Sequence, residues 1–80
     1  MTKNSAKLDI DTRLPSFRAS KKLTQQQLGE AIGVTRATII AIENTGYNPS
    51  LDLAFRIARF FGVTIEDIFF LKHEGDVNAK

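Results

Sequence analysis

Within Thr35-Arg36-Ala37-Thr38-Ile39-Ile40-Ala41-Ile42-Glu43-Asn44, an Arg, two hydroxyls, an amide and several small apolar residues fall close together. These types suit a polyanion whose edges carry hydrogen-bonding groups. The Arg36 guanidinium can bond guanine O6 and N7 together, a pairing worth about 1–3 kcal/mol of discrimination. It can equally bind phosphate, where most protein–DNA hydrogen bonds go, and both roles stay open. Ala37 and Ile40 can touch thymine methyls. The hydroxyls of Thr35 and Thr38 can reach a base or a phosphate. Other chemistries are poorly supplied. There is no cysteine, and His73 is the single histidine, without carboxylate or thiol company, so no metal site is expected. No nucleophile–base–orienter set or phosphate-cradling glycine loop is legible, so neither an enzyme nor a cofactor is expected.

The elements that must hold these residues can be read around them. The stretch 23–44 reads as two short helices joined by a glycine turn. Thr24 caps the first, and Gln27, three residues on, completes the capping-box pattern. Leu28 and Ile32 share one buried stripe. Gly29 inside a helix costs about 1 kcal/mol against Ala, so a close approach by the next helix is the expected compensation. Gly33 ends the helix in the left-handed conformation. Thr35 caps the second helix, whose buried stripe is Ile39 and Ile42. Arg36, Ala37, Thr38, Ile40 and Ala41 are left on its other faces. That is the layout of a helix-turn-helix, about 24–44.

The rest of the 80-residue chain suits one small domain. A frayed arm is expected over 1–11, a domain over 12–71 and a loose tail over 72–80. Helix one begins near Leu14, with Pro15 in its first turn. Leu14, Phe17 and the aliphatic stem of Lys21 face inward. Helix two covers about 25–31 and helix three about 36–44. Thr45-Gly46-Tyr47-Asn48-Pro49 is a loop. Ser50 caps helix four over 51–61, with Ala54, Ile57, Ala58 and Phe61 as its inner stripe. Thr64 caps helix five, with Asp67 three residues on and Ile65, Ile68 and Phe69 facing inward. No strand pattern is seen. The fold expected is all-α: five short helices in an orthogonal bundle. No apolar run reaches membrane-spanning length and no signal peptide opens the chain, so a soluble cytoplasmic protein is expected. The net charge is +2, unevenly spread. Residues 1–40 hold seven Lys/Arg against three Asp/Glu, and residues 41–80 hold four against six. A basic front suits a polyanionic partner, although ordinary surface charge has the same appearance.

From about 14 to 70 the chain resembles the Cro/C1-type (XRE, lambda-repressor-like) family of helix-turn-helix DNA-binding domains. The resemblance is carried by Leu23-Thr24-Gln25, Leu28, Ala31-Ile32-Gly33-Val34-Thr35-Arg36, Thr38-Ile39, Ala41-Ile42-Glu43-Asn44, Tyr47-Asn48-Pro49-Ser50-Leu51 and Ile57-Ala58. It implies that helix three enters the major groove. It also implies that Gln25 bonds a phosphate and buttresses helix three, while Asn44, Tyr47 and Asn48 follow the sugar-phosphate backbone. For the last three, plain turn chemistry is the competing reading. Ile40 departs from the polar residue common there, so packing against helix two or a protein surface competes with a DNA contact. Arg18 and Glu43 are implied to form a largely buried ion pair without a role in base reading. Arg13, Lys21 and Lys22 are left as solvated or steering charge.

Phe55, Phe60, Phe69, Phe70 and Leu71 make the C-terminal half unusually apolar. Either helix five folds them back onto helix four, or part of them is an association patch. A homodimer on two half-sites is the expectation. The function expected is sequence-specific double-stranded DNA binding to regulate transcription, as a repressor. The alternative is a protein-interaction module, such as an antitoxin-like subunit binding a partner protein.

Overall fold

Hydroxyl residues set where four of the five helices begin. The side chains of Thr24, Thr35, Ser50 and Thr64 accept from the backbone N–H of Gln27, Thr38, Leu53 and Asp67. Gln27 and Asp67 reach back to the caps, closing two capping boxes. The computed structural model describes residues 9–44 and 47–72. In chain order these form β1 (Ile10–Thr12), α1 (Leu14–Ser20), α2 (Gln25–Ile32), α3 (Arg36–Glu43), α4 (Leu51–Phe61), α5 (Ile65–Ile68) and β2 (Phe69–Leu71). Two helices end on left-handed glycines, α2 at Gly33 (φ 85°) and α4 at Gly62 (φ 71°). The turn after α1 is made by Lys22 at φ 58° instead.

The core draws on every helix. Leu14, Leu28, Ile39, Ile57 and Ile68, one from each, are fully buried. Phe17, Phe60, Phe61 and Phe69 pack against this cluster. The Phe61 ring lies 5.5 Å from Phe17 and meets Phe60 edge-on at 5.0 Å. Such geometry favours aromatic pairs beyond their burial.

The all-α expectation needs correction. β1 and β2 form an antiparallel ladder, with Ile10 opposite Leu71, Asp11 opposite Phe70 and Thr12 opposite Phe69. The Lys72 N–H donates to the Asp9 carbonyl at 2.8 Å, extending the pairing. Ile10 and Asp11 therefore belong to a strand, although they lie inside the expected arm. Phe69 is not helical: α5 ends after four residues, and Phe69 is extended (φ −114°, ψ 135°). Three-residue strands are too short to show alternation, and only the fold brings residue 10 to residue 71. The expectations for residues 1–8, Thr45, Gly46 and 73–80, His73 included, fall outside the described residues.

Candidate nucleic-acid interface

The corner between α2 and α3 is closed around Gly29. Its carbonyl accepts from the N–H groups of both Gly33 and Val34, each at 2.8 Å. A Cβ at this position would stand 2.7 Å from the Val34 carbonyl oxygen and 3.2 Å from the Thr35 carbonyl carbon. The close approach expected at Gly29 is thus made by the backbone of the turn that launches α3. It fixes where α3 starts relative to α2.

With Ile39 and Ile42 buried, the rest of α3 is set by helical geometry. At 100° per residue, Arg36, Ala37, Ile40, Ala41 and Asn44 fall on one arc of roughly 140° facing away from the core. Arg36, Ala37 and Asn44 are exposed, and Ile40 and Ala41 are half-buried. Ile40 is not among the side chains packed on the core cluster. Thr35 and Thr38 lie off this arc, at the N-terminal end of α3, with their hydroxyls 3.1 Å apart. Thr35 also caps α3, through the Thr38 N–H at 3.2 Å. The arc offers one cation, one amide and three apolar residues between them.

Behind α3, one carboxylate collects two side chains from other helices. Arg18 Nε donates to Glu43 Oε2 at 2.7 Å, and Arg18 Nη2 to Oε1 at 3.1 Å. Gln25 Nε2 donates to the same Oε1 at 3.0 Å. Arg18 Nη1 also donates to the Leu23 carbonyl at 2.9 Å. The hydrogen bonds to Glu43 and its charge hold the Arg18 guanidinium above its ordinary range, against the effect of desolvation. The Glu43 side chain is 7% exposed and that of Arg18 21%. Gln25 is therefore tied to the last residue of α3 while opening α2.

Past α3, Asn44 leaves the helix in an extended conformation, its N–H bonded to the Ile40 carbonyl at 2.9 Å. Asn44 and Tyr47 surround a small cavity together with Ile10, Thr12, Ile42 and Phe69. Asn48 is exposed. Two of the three steering cations lie over aromatics: the Arg13 guanidinium is 4.1 Å from the Phe70 ring centroid and the Lys21 ammonium 5.8 Å from that of Phe60. Lys21 as a whole residue is exposed, with its chain end over Phe60, which packs on the core.

Sequence reading missed Arg56. Its Nη1 donates to the Ile32 carbonyl at the end of α2 (2.6 Å), and its Nε to Asp52 (2.9 Å). The i,i+4 spacing from Asp52 was legible. The reach to α2 depends on how α4 crosses it.

The helix-turn-helix family model matches residues 16–68, which is more than half of the chain. The chain belongs to the helix-turn-helix family, of the Cro/C1 (XRE) type. One relative is an uncharacterised transcriptional regulator of this type from Methanocaldococcus jannaschii. It is 57% identical over 60 residues, which is 75% of this chain and 91% of the relative. A Bacillus subtilis regulator of this type is 44% identical over 65 residues, covering 81% of this chain and 98% of the relative. The immunity repressor protein of Bacillus phage phi105 is 28% identical over 78 residues, covering 91% of this chain and 54% of that protein. A solved structure from Bacteroides fragilis shares the fold, with a TM-score of 0.67 at 24% identity, over 76% of this chain and 98% of that one. The family is one of regulators rather than enzymes. Among the described residues, no helix is long and apolar enough to cross a membrane.

Proposed function

We propose that this chain is a cytoplasmic, sequence-specific regulator of transcription that binds double-stranded DNA as a homodimer and represses by occluding a promoter. The observation that carries the reading is the outward arc of α3, where Arg36, Ala37, Ile40, Ala41 and Asn44 stand together on a helix braced from behind. In this reading α3 lies in the major groove, with Arg36 on a guanine edge and Ala37, Ile40 and Ala41 against thymine methyls. Thr35, Thr38, Gln25, Asn44, Tyr47 and Asn48 set the register on phosphates and sugars. The Gln25–Glu43 bond supports this, because a phosphate held at the start of α2 would then be tied to α3. The relatives are regulators, and they give the protein-interaction alternative no support.

Selection of binding sites from a random duplex library tests the reading. A two-fold symmetric site is expected, with half-sites about one helical turn apart. No enrichment at near-physiological salt would overturn sequence-specific binding. Arg36→Ala is then expected to weaken binding to the selected site by about tenfold or more, and bulk DNA binding by less. Equal losses on both would make Arg36 a phosphate contact.

A further inference from the structure

The largest exposed apolar side chains of α4 share one face. Leu51 is 70% exposed and Phe55 53%, and they are four residues apart, so they sit one above the other. Below them the face continues into an open groove of roughly 390 Å³ between α4 and α5, lined by Phe55, Ala58, Val63 and Ile65. Two opposite charges share the walls of that groove: Arg59 in the last turn of α4 and Glu66 in the first turn of α5. Both are exposed. Among the described residues the ion pairs are Arg18–Glu43 and Arg56–Asp52, and neither Arg59 nor Glu66 has a side-chain hydrogen bond. One corner therefore presents an apolar strip with an unused cation and an unused anion beside it.

A two-fold interface brings one patch against itself, so residue i meets residue j and j meets i. A patch of single sign would repel its own copy. A patch holding one charge of each sign can satisfy both, twice over. We propose that the α4–α5 groove is the surface on which a second copy of this chain docks, with Phe55 near its centre and Leu51 toward its edge. Arg59 of each copy pairs with Glu66 of the other and sets the register. The inference rests on the homodimer reading and specifies its surface. The surface shares no residue with the α3 arc.

Charge reversal tests the pairing, with the 80-residue chain sedimented alone and in mixtures. Arg59→Glu puts two carboxylates at each contact, and Glu66→Arg puts two guanidiniums there. Each single variant is expected to raise the dimer dissociation constant by about tenfold or more. An equimolar mixture of the two is expected to restore a dimer, because each contact then pairs one Glu with one Arg. Circular dichroism checks folding of each variant, and recovery in the mixture excludes a simple folding defect. Phe55→Asp is expected to dissociate the dimer without rescue by either partner. Single variants that dimerise like the parent chain, or that fail to recover on mixing, would overturn the pairing. A parent chain that stays monomeric at tens of micromolar, both free and on its selected duplex, would overturn the homodimer. Binding to a duplex carrying one half-site, measured on the same variants, tells a lost interface from lost DNA recognition.

Discussion

Glu43 illustrates how one side chain can hold a binding helix in place. Its carboxylate takes two hydrogen bonds from Arg18 and one from Gln25, so removing it strands a largely buried guanidinium and frees the head of α2. Breaking one partner of a buried pair costs about 3–5 kcal/mol. The partial exposure of Arg18 lowers the expectation for Glu43→Ala to about 2–4 kcal/mol, to be read from urea denaturation. Glu43→Gln keeps an acceptor for Arg18 and should cost less. The contribution of Arg18 has little pH dependence near neutrality. Its folded-state range is raised, so that stability is fully present below the unfolded value and is lost only as the pH climbs through the folded one. Residue types alone did not reveal this pair. Arg18 and Glu43 are 25 positions apart, and the family resemblance supplied the pairing. Arg56 had no such precedent, and its bond to the Ile32 carbonyl came only with the fold.

The helices were legible because their signals are local. A Thr or Ser at the cap, an acceptor or donor three residues later and a glycine at the end are decided within one turn. The four hydroxyl caps and the left-handed Gly33 stand where those signals put them. Gly29 belongs here too, since its type announced a close approach while the partner had to come from the structure. Ala has the better helix propensity by about 1 kcal/mol, so propensity alone would make Gly29→Ala stabilising. The new methyl would stand 2.7 Å from the Val34 carbonyl oxygen, which is backbone and cannot swing aside. Overpacking of this kind costs typically about 1–3 kcal/mol, enough to cancel the propensity gain. Gly29→Ala is therefore expected to be destabilising overall in thermal melts. Because the displaced atoms begin α3, specific DNA affinity should fall even where the variant remains folded. A stabilised variant with unchanged affinity would mean that the turn yields freely.

The two ends of the domain meet at Thr12, and no local signal foretold it. Its hydroxyl donates to the Ile68 carbonyl at 3.1 Å and accepts from the Leu14 N–H at 3.0 Å. It thus joins the end of α5 to the start of α1, while the ladder beside it pairs β1 with β2. A contact spanning 56 positions closes the chain on itself, beside the small cavity that Asn44 and Tyr47 line together with Ile10 and Thr12 of β1. Thr12→Val keeps the shape and removes both bonds. The Ile68 carbonyl keeps the Arg13 N–H at 2.7 Å, so the group left unpaired is the Leu14 N–H at the head of α1. An unsatisfied backbone donor costs about 1–3 kcal/mol. In a domain of this size each kcal/mol shifts the midpoint by about 4–8 °C. Thr12→Val should therefore melt several degrees lower. At temperatures well below the transition its affinity for a selected duplex should match that of the parent chain, because Thr12 lies outside the α3 arc. A loss of affinity in the folded variant would instead show that β1 acts on DNA through the loop of Asn44 and Tyr47. That outcome would extend the interface from α3 to the sheet.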